Sequence, residues 1–163
     1  GNQEKRKDAK AMKTVVKKYS ELTVPEFYEC MRSRAEIFVV EQDCVYQDCD
    51  DCDYEYHVFF WEDDSESVNG GRVHAYLRLY TIEEEPLTVQ MGRVLSLEHG
   101  NGLGGRILEE GIRVAGDVMK ADRLFIEAET YVIGYYEKYG FRQISGEFLK
   151  DDIPHVQMEL WFR

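Results

Sequence analysis

The stretch His99-Gly100-Asn101-Gly102-Leu103-Gly104-Gly105 decides the fold, because it joins a strand-like run, Leu87 to Leu97, directly to an amphipathic helical pattern. Glycine admits positive φ and lets the main chain approach a ligand closely. The first turn of the helix that follows offers unpaired N–H groups and the positive end of its dipole to an anion. Together these features predict a backbone cradle for a nucleotide-like pyrophosphate.

Three kinds of loop share that outline, and the flanking residues separate them. A GxxxxGK[ST] loop needs a lysine and a hydroxyl after its last glycine, whereas Arg106-Ile107 follow Gly105, which excludes it. A GxGxxG dinucleotide fingerprint is matched by Gly100, Gly102 and Gly105, with Glu127 or Glu129 at about the 20-residue offset of a ribose-binding acid. That fingerprint belongs at the opening of a parallel α/β unit, however, and here it arrives after several strands. Residues 99–104 also resemble the acetyl-coenzyme A loop of the GNAT acetyltransferases, [QR]xxGx[GA], with Gly102 and Gly104 in register and His99 in place of Gln or Arg.

Working outward, Thr14 to Tyr19 reads as a first strand. Thr23-Val24-Pro25-Glu26 spells a capping box, with Leu22 and Phe27 placed as a hydrophobic staple, and Phe27, Cys30, Met31, Ala35 and Phe38 recur at helical spacing. Residues 46–56 are polar and acidic, a loop long enough to suggest function. His57 to Trp61 and Arg72 to Tyr80 flank a hairpin connection, Ser65 to Gly71. In the second of these strands Val73, Ala75, Leu77 and Leu79 form a core face, and His74, Tyr76, Arg78 and Tyr80 form a face that can line a site. After the glycine loop, Leu103, Ile107, Leu108, Ile112, Ala115 and Met119 give a helix its apolar stripe. Arg123 to Ala128 follows as a fifth strand, Tyr131 to Tyr139 as a short helix stopped by Gly140, and Phe141 to Leu149 with His155 to Phe162 as a closing antiparallel pair. The order is mixed α/β, with no internal repeat or linker.

The 163 residues, 44% hydrophobic and 32% charged, suit one domain with a real core and argue against disorder. Residues 1–13 read as a basic, mobile leader and 14–163 as the single domain. The first 20 residues carry seven Lys or Arg against Glu4 and Asp8, and the remainder carries 13 basic and 30 acidic residues, a balance near −17. Such a body repels nucleic acid and anionic membranes and attracts cations. No apolar run approaches a membrane span and no signal-peptide pattern is present, so a cytoplasmic protein is expected, with Cys30, Cys44, Cys49 and Cys52 as reduced thiols.

Further motifs extend the resemblance. Tyr135-Tyr136-Glu137-Lys138-Tyr139-Gly140-Phe141 resembles the [FL]YxxxGF signature of GNAT enzymes, in order after the glycine loop. Residues 34–53, beginning Arg34-Ala35-Glu36-Ile37-Phe38-Val39-Val40-Glu41-Gln42, are similar to RxxVFVVEQxCxYxDxDxxD of the ElaA-like branch, with His57 following. Asp151-Asp152-Ile153-Pro154-His155-Val156-Gln157-Met158 is similar to that branch's DGIPHIxM. Departures are Val45 for proline, Cys49 and Cys52 in the acidic loop, Asp152 for glycine, and His99.

The resemblance implies a GNAT fold, a mostly antiparallel mixed sheet flanked by helices, and acetyl transfer from acetyl-CoA to a primary amine of a small molecule or peptide by direct attack. It implies a cofactor site formed by Val94, Leu95 and Leu97 of the preceding strand and by His99, Gly100, Asn101, Gly102, Leu103, Gly104 and Gly105. Tyr136 takes by family position the role of acid to the leaving thiolate, since a tyrosine of pKa about 10 stays protonated at neutral pH. Packing or cofactor contact alone is its competing role. The residues leave the general base open among Glu41, Glu127, Glu129, His57, His74, His155 and a water chain, with Glu129 expected beside Tyr136 as a catalytic residue. Glu41, Asp48, Asp50, His57 and His155 are expected to hold a cationic acceptor, the aspartates through charge-assisted hydrogen bonds unless the loop is simply solvated. Cys44, Cys49, Cys52 and His57 could alternatively ligate zinc; no resident metal is expected. A coenzyme-A-binding or zinc-stabilised interaction domain without turnover is the alternative to an enzyme. Exposed strand edges would permit a homodimer.

Overall fold

The structure is a computed structural model that describes residues 12–163. Strand β1 (Met12–Lys18) leads through a short turn into helix α1 (Val24–Arg34). Thr23 caps α1 as its sequence predicts. The Thr23 hydroxyl accepts the Glu26 amide at 3.2 Å, and the Glu26 carboxylate accepts the Thr23 amide at 2.9 Å. This reciprocal cap satisfies two of the helix's orphan donors. The helix then widens over Ala35–Glu41, where the Gln42 amide reaches back five residues to the Ile37 carbonyl. Residues 42–55 form the acidic loop. Strands β2 (Tyr56–Asp63), β3 (Gly71–Glu83) and β4 (Thr88–Ser96) make an antiparallel meander.

Helix α2 (Leu103–Arg113) starts from the glycine loop and also widens, over Val114–Val118, before β5 (Arg123–Glu129). A short helix, α3 (Ile133–Glu137), precedes β6 (Arg142–Gln143), β7 (Phe148–Lys150) and β8 (Ile153–Trp161). The sheet order is β1-β2-β3-β4-β5-β8-β6, with β7 also paired to β8, and only β4 and β5 run parallel. The first partner of the expected closing pair is thus split in two. The β7–β8 turn has Asp151 and Asp152 at φ 50 and 61, the positive values a two-residue type I′ hairpin demands. Glycine at 152 in the family motif would meet that demand without strain.

The leader expected over 1–13 ends inside the sheet, because Met12 and Lys13 pair with Glu62 and Trp61; residues 1–11 lie outside the described residues. Two cores sandwich the sheet. Leu77, Leu79 and Met91 pack with Ile107 and Leu108 of α2 on one face, and Phe59, Tyr76 and Leu95 pack with Cys30 of α1 on the other. The core face expected of β3 holds for Ala75, Leu77 and Leu79. Val73, however, belongs to the opposite core, because a bulge opposite Phe60 and Trp61 inserts a residue and flips the alternation. Among the described residues no helix is long and apolar enough to cross a membrane.

Candidate active site

Strands β4 and β5 share only three ladder pairs, Thr88↔Arg123, Val89↔Leu124 and Gln90↔Phe125, and then part. The cause lies in β4. Tyr76 and Arg78 of β3 oppose Leu95 and Gly92, so an extra residue is accommodated there, and Arg93 adopts φ 53. A bulge of this kind bends its strand, and a left-handed arginine costs about 1 kcal/mol that its surroundings must offset. A cavity of about 300 Å³ occupies the resulting wedge, lined by Gly92 and Val94 from β4 and by Glu127 and Glu129 from β5. Tyr136 of α3 and His155 of β8 also face it.

The acidic loop offsets the strain at Arg93. Asp48 accepts Arg93 Nε at 2.9 Å and Arg34 Nε at 3.0 Å, and its carbonyl accepts both guanidinium groups at 3.0 and 2.7 Å. Asp50 receives Arg78 in a fork, 2.6 and 2.7 Å, and Arg93 at 3.3 Å. Asp53 receives Arg34 at 2.6 Å and Arg78 at 3.1 Å. Burial alone would raise the Asp50 carboxyl, yet the hydrogen bonds and charge of Arg78, with Arg93 beyond, hold it at about 2. Three aspartates and three arginines thus lock the loop onto the bulge.

This arrangement departs from several expectations. Asp48 and Asp50 do not offer free carboxylates to a cationic acceptor, since arginines occupy them, and Asp48 does not line the cavity. The loop is not a solvated, self-repelling one either. His57 has no exposed surface and is absent from the cavity wall. Its Nδ1 meets Tyr76 Oη and its Nε2 meets the Asp53 carbonyl, both at 2.7 Å, and burial lowers its pKa. Glu41 lies outside the cavity and accepts from the exposed His99 Nε2 at 2.9 Å. With both His57 nitrogens engaged, Cys44, Cys49, Cys52 and His57 form no zinc tetrad; among the described residues no group of three or more His, Cys, Asp or Glu is placed to hold a metal.

The cavity does bring together Tyr136, Glu129 and His155. Burial, with Tyr135 and Glu129 nearby, pushes the Tyr136 hydroxyl well above the ordinary tyrosine range. The neighbouring Glu129 carboxylate, with burial, moves the Tyr131 hydroxyl up to about 12. His155 Nδ1 contacts the Ile153 carbonyl at 2.7 Å, an arrangement that assigns the ring proton to Nδ1 and leaves Nε2 as the acceptor. Of the expected β4 contacts only Val94 reaches the cavity. Leu95 is core, and Leu97 faces a second cavity on the other side.

The glycine loop turns at Gly100 (φ 80) and Gly102 (φ 78), where a Cβ would meet nothing within 4 Å, so φ rather than crowding demands glycine. The Leu103 amide bonds to Asn101 Oδ1 at 3.1 Å, and Asn101 Nδ2 in turn donates to Glu98 at 2.8 Å. Gly105 lies against α3; a Cβ there would stand 2.5 Å from Tyr139 Oη. The loop and the tyrosine-bearing helix are therefore packed as one unit, and the open, left-handed turns with a helix start behind them fit a pyrophosphate.

A parted pair of parallel strands, a glycine loop opening a helix beside them and a tyrosine helix closing the cleft define an acyl-CoA-dependent transferase. Residues 15–162 match the family model of the acetyltransferase (GNAT) domain, and the chain belongs to that family. Within it, the chain is of the ElaA-like branch. It is 27% identical to protein ElaA of Escherichia coli over 86% of this chain and 90% of ElaA. It is 33% identical to a UPF0039 protein of Schizosaccharomyces pombe over 90% of this chain and 95% of that protein. An acyl-CoA N-acyltransferase structure from Pseudomonas aeruginosa superposes with a TM-score of 0.80 at 32% identity, covering 91% of this chain and 99% of that one. The crystal structure of E. coli ElaA also gives 0.80, at 24% identity, with 91% and 99% covered, and shares the fold. Acyl transfer is the chemistry of the family, and the chain is an acyltransferase of the mixed α/β GNAT fold.

Proposed function

We propose that the chain transfers an acetyl group from acetyl-CoA to a primary amine of a small molecule or peptide, by direct attack in a ternary complex. The observation that carries this reading is the convergence of Tyr136 and Glu129 on the cavity where β4 and β5 part. Bound acetyl-CoA supplies a thioester carbonyl. The main chain around Val94 and the amides of Gly104 and Gly105 hold its pantetheine arm and pyrophosphate. Glu129 takes the proton that the attacking amine sheds. The amine nitrogen forms the new C–N bond, the C–S bond breaks, and Tyr136 gives its proton to the departing thiolate. Burial keeps the Tyr136 hydroxyl protonated and so available as a donor to the thiolate, while its raised pKa lowers the driving force for complete transfer. His155, through Nε2, lines the acceptor side.

A ligand that binds only the native state stabilises it by mass action, so saturating acetyl-CoA raises Tm and a nicotinamide dinucleotide does not. Thiol release with an amine panel then reads turnover. No shift with acetyl-CoA, or a shift with the dinucleotide alone, overturns the proposal.

A further inference from the structure

Arg78 makes three side-chain hydrogen bonds through its two Nη atoms, to Asp50 and Asp53, yet its Nε has none. Among the described residues it is the single buried side-chain nitrogen or oxygen without a partner, on a side chain only 3% exposed. An unpaired N–H on a charged group is costly to bury, so such a donor calls for a partner from outside the chain. The place for that partner is open. Arg78 pairs in register with Gly92, both line the cavity, and a Cβ built on Gly92 would stand 3.8 Å from Nε with nothing else within 4 Å. Any other residue at 92 would fill the approach to Nε.

Charge decides what kind of oxygen fits. Arg34, Arg78 and Arg93 are matched by Asp48, Asp50 and Asp53, and Lys150 is matched by Glu127 at 3.4 Å, which leaves Glu129 and Asp151 as the remaining carboxylates on the wall. An incoming carboxylate finds no surplus positive charge, while a protonated amine finds negative charge at Glu129. Gly92 lies two residues beyond the last β4–β5 pair and Glu129 lies four beyond it on β5, an offset of about 7 Å at roughly 3.3 Å per residue. One aminoacyl unit with a hydrogen bond at each end covers about that span.

We propose that Arg78 Nε and Gly92 form a subsite for an uncharged carbonyl oxygen next to the acceptor amine, so that the acceptor is an α-amino amide, such as the N-terminus of a peptide, rather than a polyamine or a free amino acid. The proposal rests on the acetyl-transfer reading and narrows its acceptor.

The test compares leucinamide, 3-methylbutylamine and leucine as acceptors, with acetyl-CoA and thiol release, in the parent chain and in Gly92→Ala. Alanine is sterically compatible with position 92, and taking ratios between the two proteins cancels the different basicities of the amines. A hydrogen bond from a charged donor corresponds to about ten- to hundredfold. The kcat/KM of leucinamide relative to 3-methylbutylamine therefore drops about tenfold or more in Gly92→Ala, while the acetyl-CoA rise in Tm persists. Arg78→Lys removes Nε directly, but it also breaks the aspartate fork, so its Tm must accompany its kinetics. An unchanged ratio means that water alone satisfies Nε and overturns the subsite, as does a larger drop for leucine than for leucinamide. Absence of turnover with all three, with the Tm rise intact, overturns the acceptor class; absence of the Tm rise itself overturns the transferase reading instead.

Discussion

Arg34→Met tests whether the locked loop holds the site together. Arg34 has no exposed surface and carries contacts to Asp53 at 2.6 and 3.3 Å, to Asp48 at 3.0 Å and to the Asp48 carbonyl at 2.7 Å. Methionine replaces the aliphatic stem without the guanidinium and leaves Asp53, with a side chain 9% exposed, facing Arg78 alone. Removing one partner of a buried ion pair costs about 3–5 kcal/mol because the other charge stays buried and under-compensated. For a domain of this size that lowers Tm by about 10 °C. Urea unfolding followed by the fluorescence of Trp61 and Trp161 measures the loss. The loss should shrink as pH falls below the ordinary carboxylate value of 3.8. The parent's Asp53 is held below the usual carboxylate range by Arg34 and Arg78 against the effect of burial, so the parent forfeits in acid a stabilisation the variant already lacks. A cost below about 1 kcal/mol at pH 7, or a gap that does not change with pH, would refute the claim that Arg34 anchors the loop.

The other expectations are simpler. Asp152→Gly relieves the left-handed conformation of the β7–β8 turn and raises stability by about 0.5 kcal/mol, whereas Asp152→Val lowers it by about 1 kcal/mol or more; denaturant midpoints give both values. Acid should destabilise the fold in two windows, visible in Tm against pH. His57 is buried and its pKa lies below its ordinary 6.5, so the unfolded chain takes up the proton first and stability falls as pH drops below that value. Asp50, held at about 2 against an ordinary 3.8, contributes stability that is complete above the latter and is lost between the two. A Tm flat from pH 7 to 5 would contradict the buried, neutral His57.

Local signals in the chain were legible. The Thr23–Glu26 cap, the strand into Gly100 and Gly102, and Tyr136 two helices later depend on residues close in sequence and on motifs, and each stands where its pattern places it. The acidic loop was misread because its partners lie 14 to 45 residues away. A signal did exist: Arg34 falls on the apolar stripe of α1, four residues after Cys30 and three after Met31, where an arginine must find buried carboxylates. Arg78, on the site-facing alternation of β3, was a second sign. Nothing in the sequence marks the left-handed turn at Arg93 or the widened turns over Ala35–Glu41 and Val114–Val118, since helical periodicity does not distinguish four-residue from five-residue hydrogen bonds. The flip of Val73 was likewise hidden, because one inserted residue reverses an alternation without altering composition.

The central claim is that Tyr136 gives its proton to the leaving thiolate in the cleft between β4 and β5. The direct measurement is thiol release by Tyr136→Phe at saturating acetyl-CoA and a turned-over amine, beside cofactor affinity by calorimetry. General acid catalysis is worth about 10²–10⁴-fold, so kcat should fall at least a hundredfold while the Kd for acetyl-CoA changes less than threefold. A kcat that survives, or a Kd that weakens in proportion to kcat, would make Tyr136 a packing or binding residue and contradict the account.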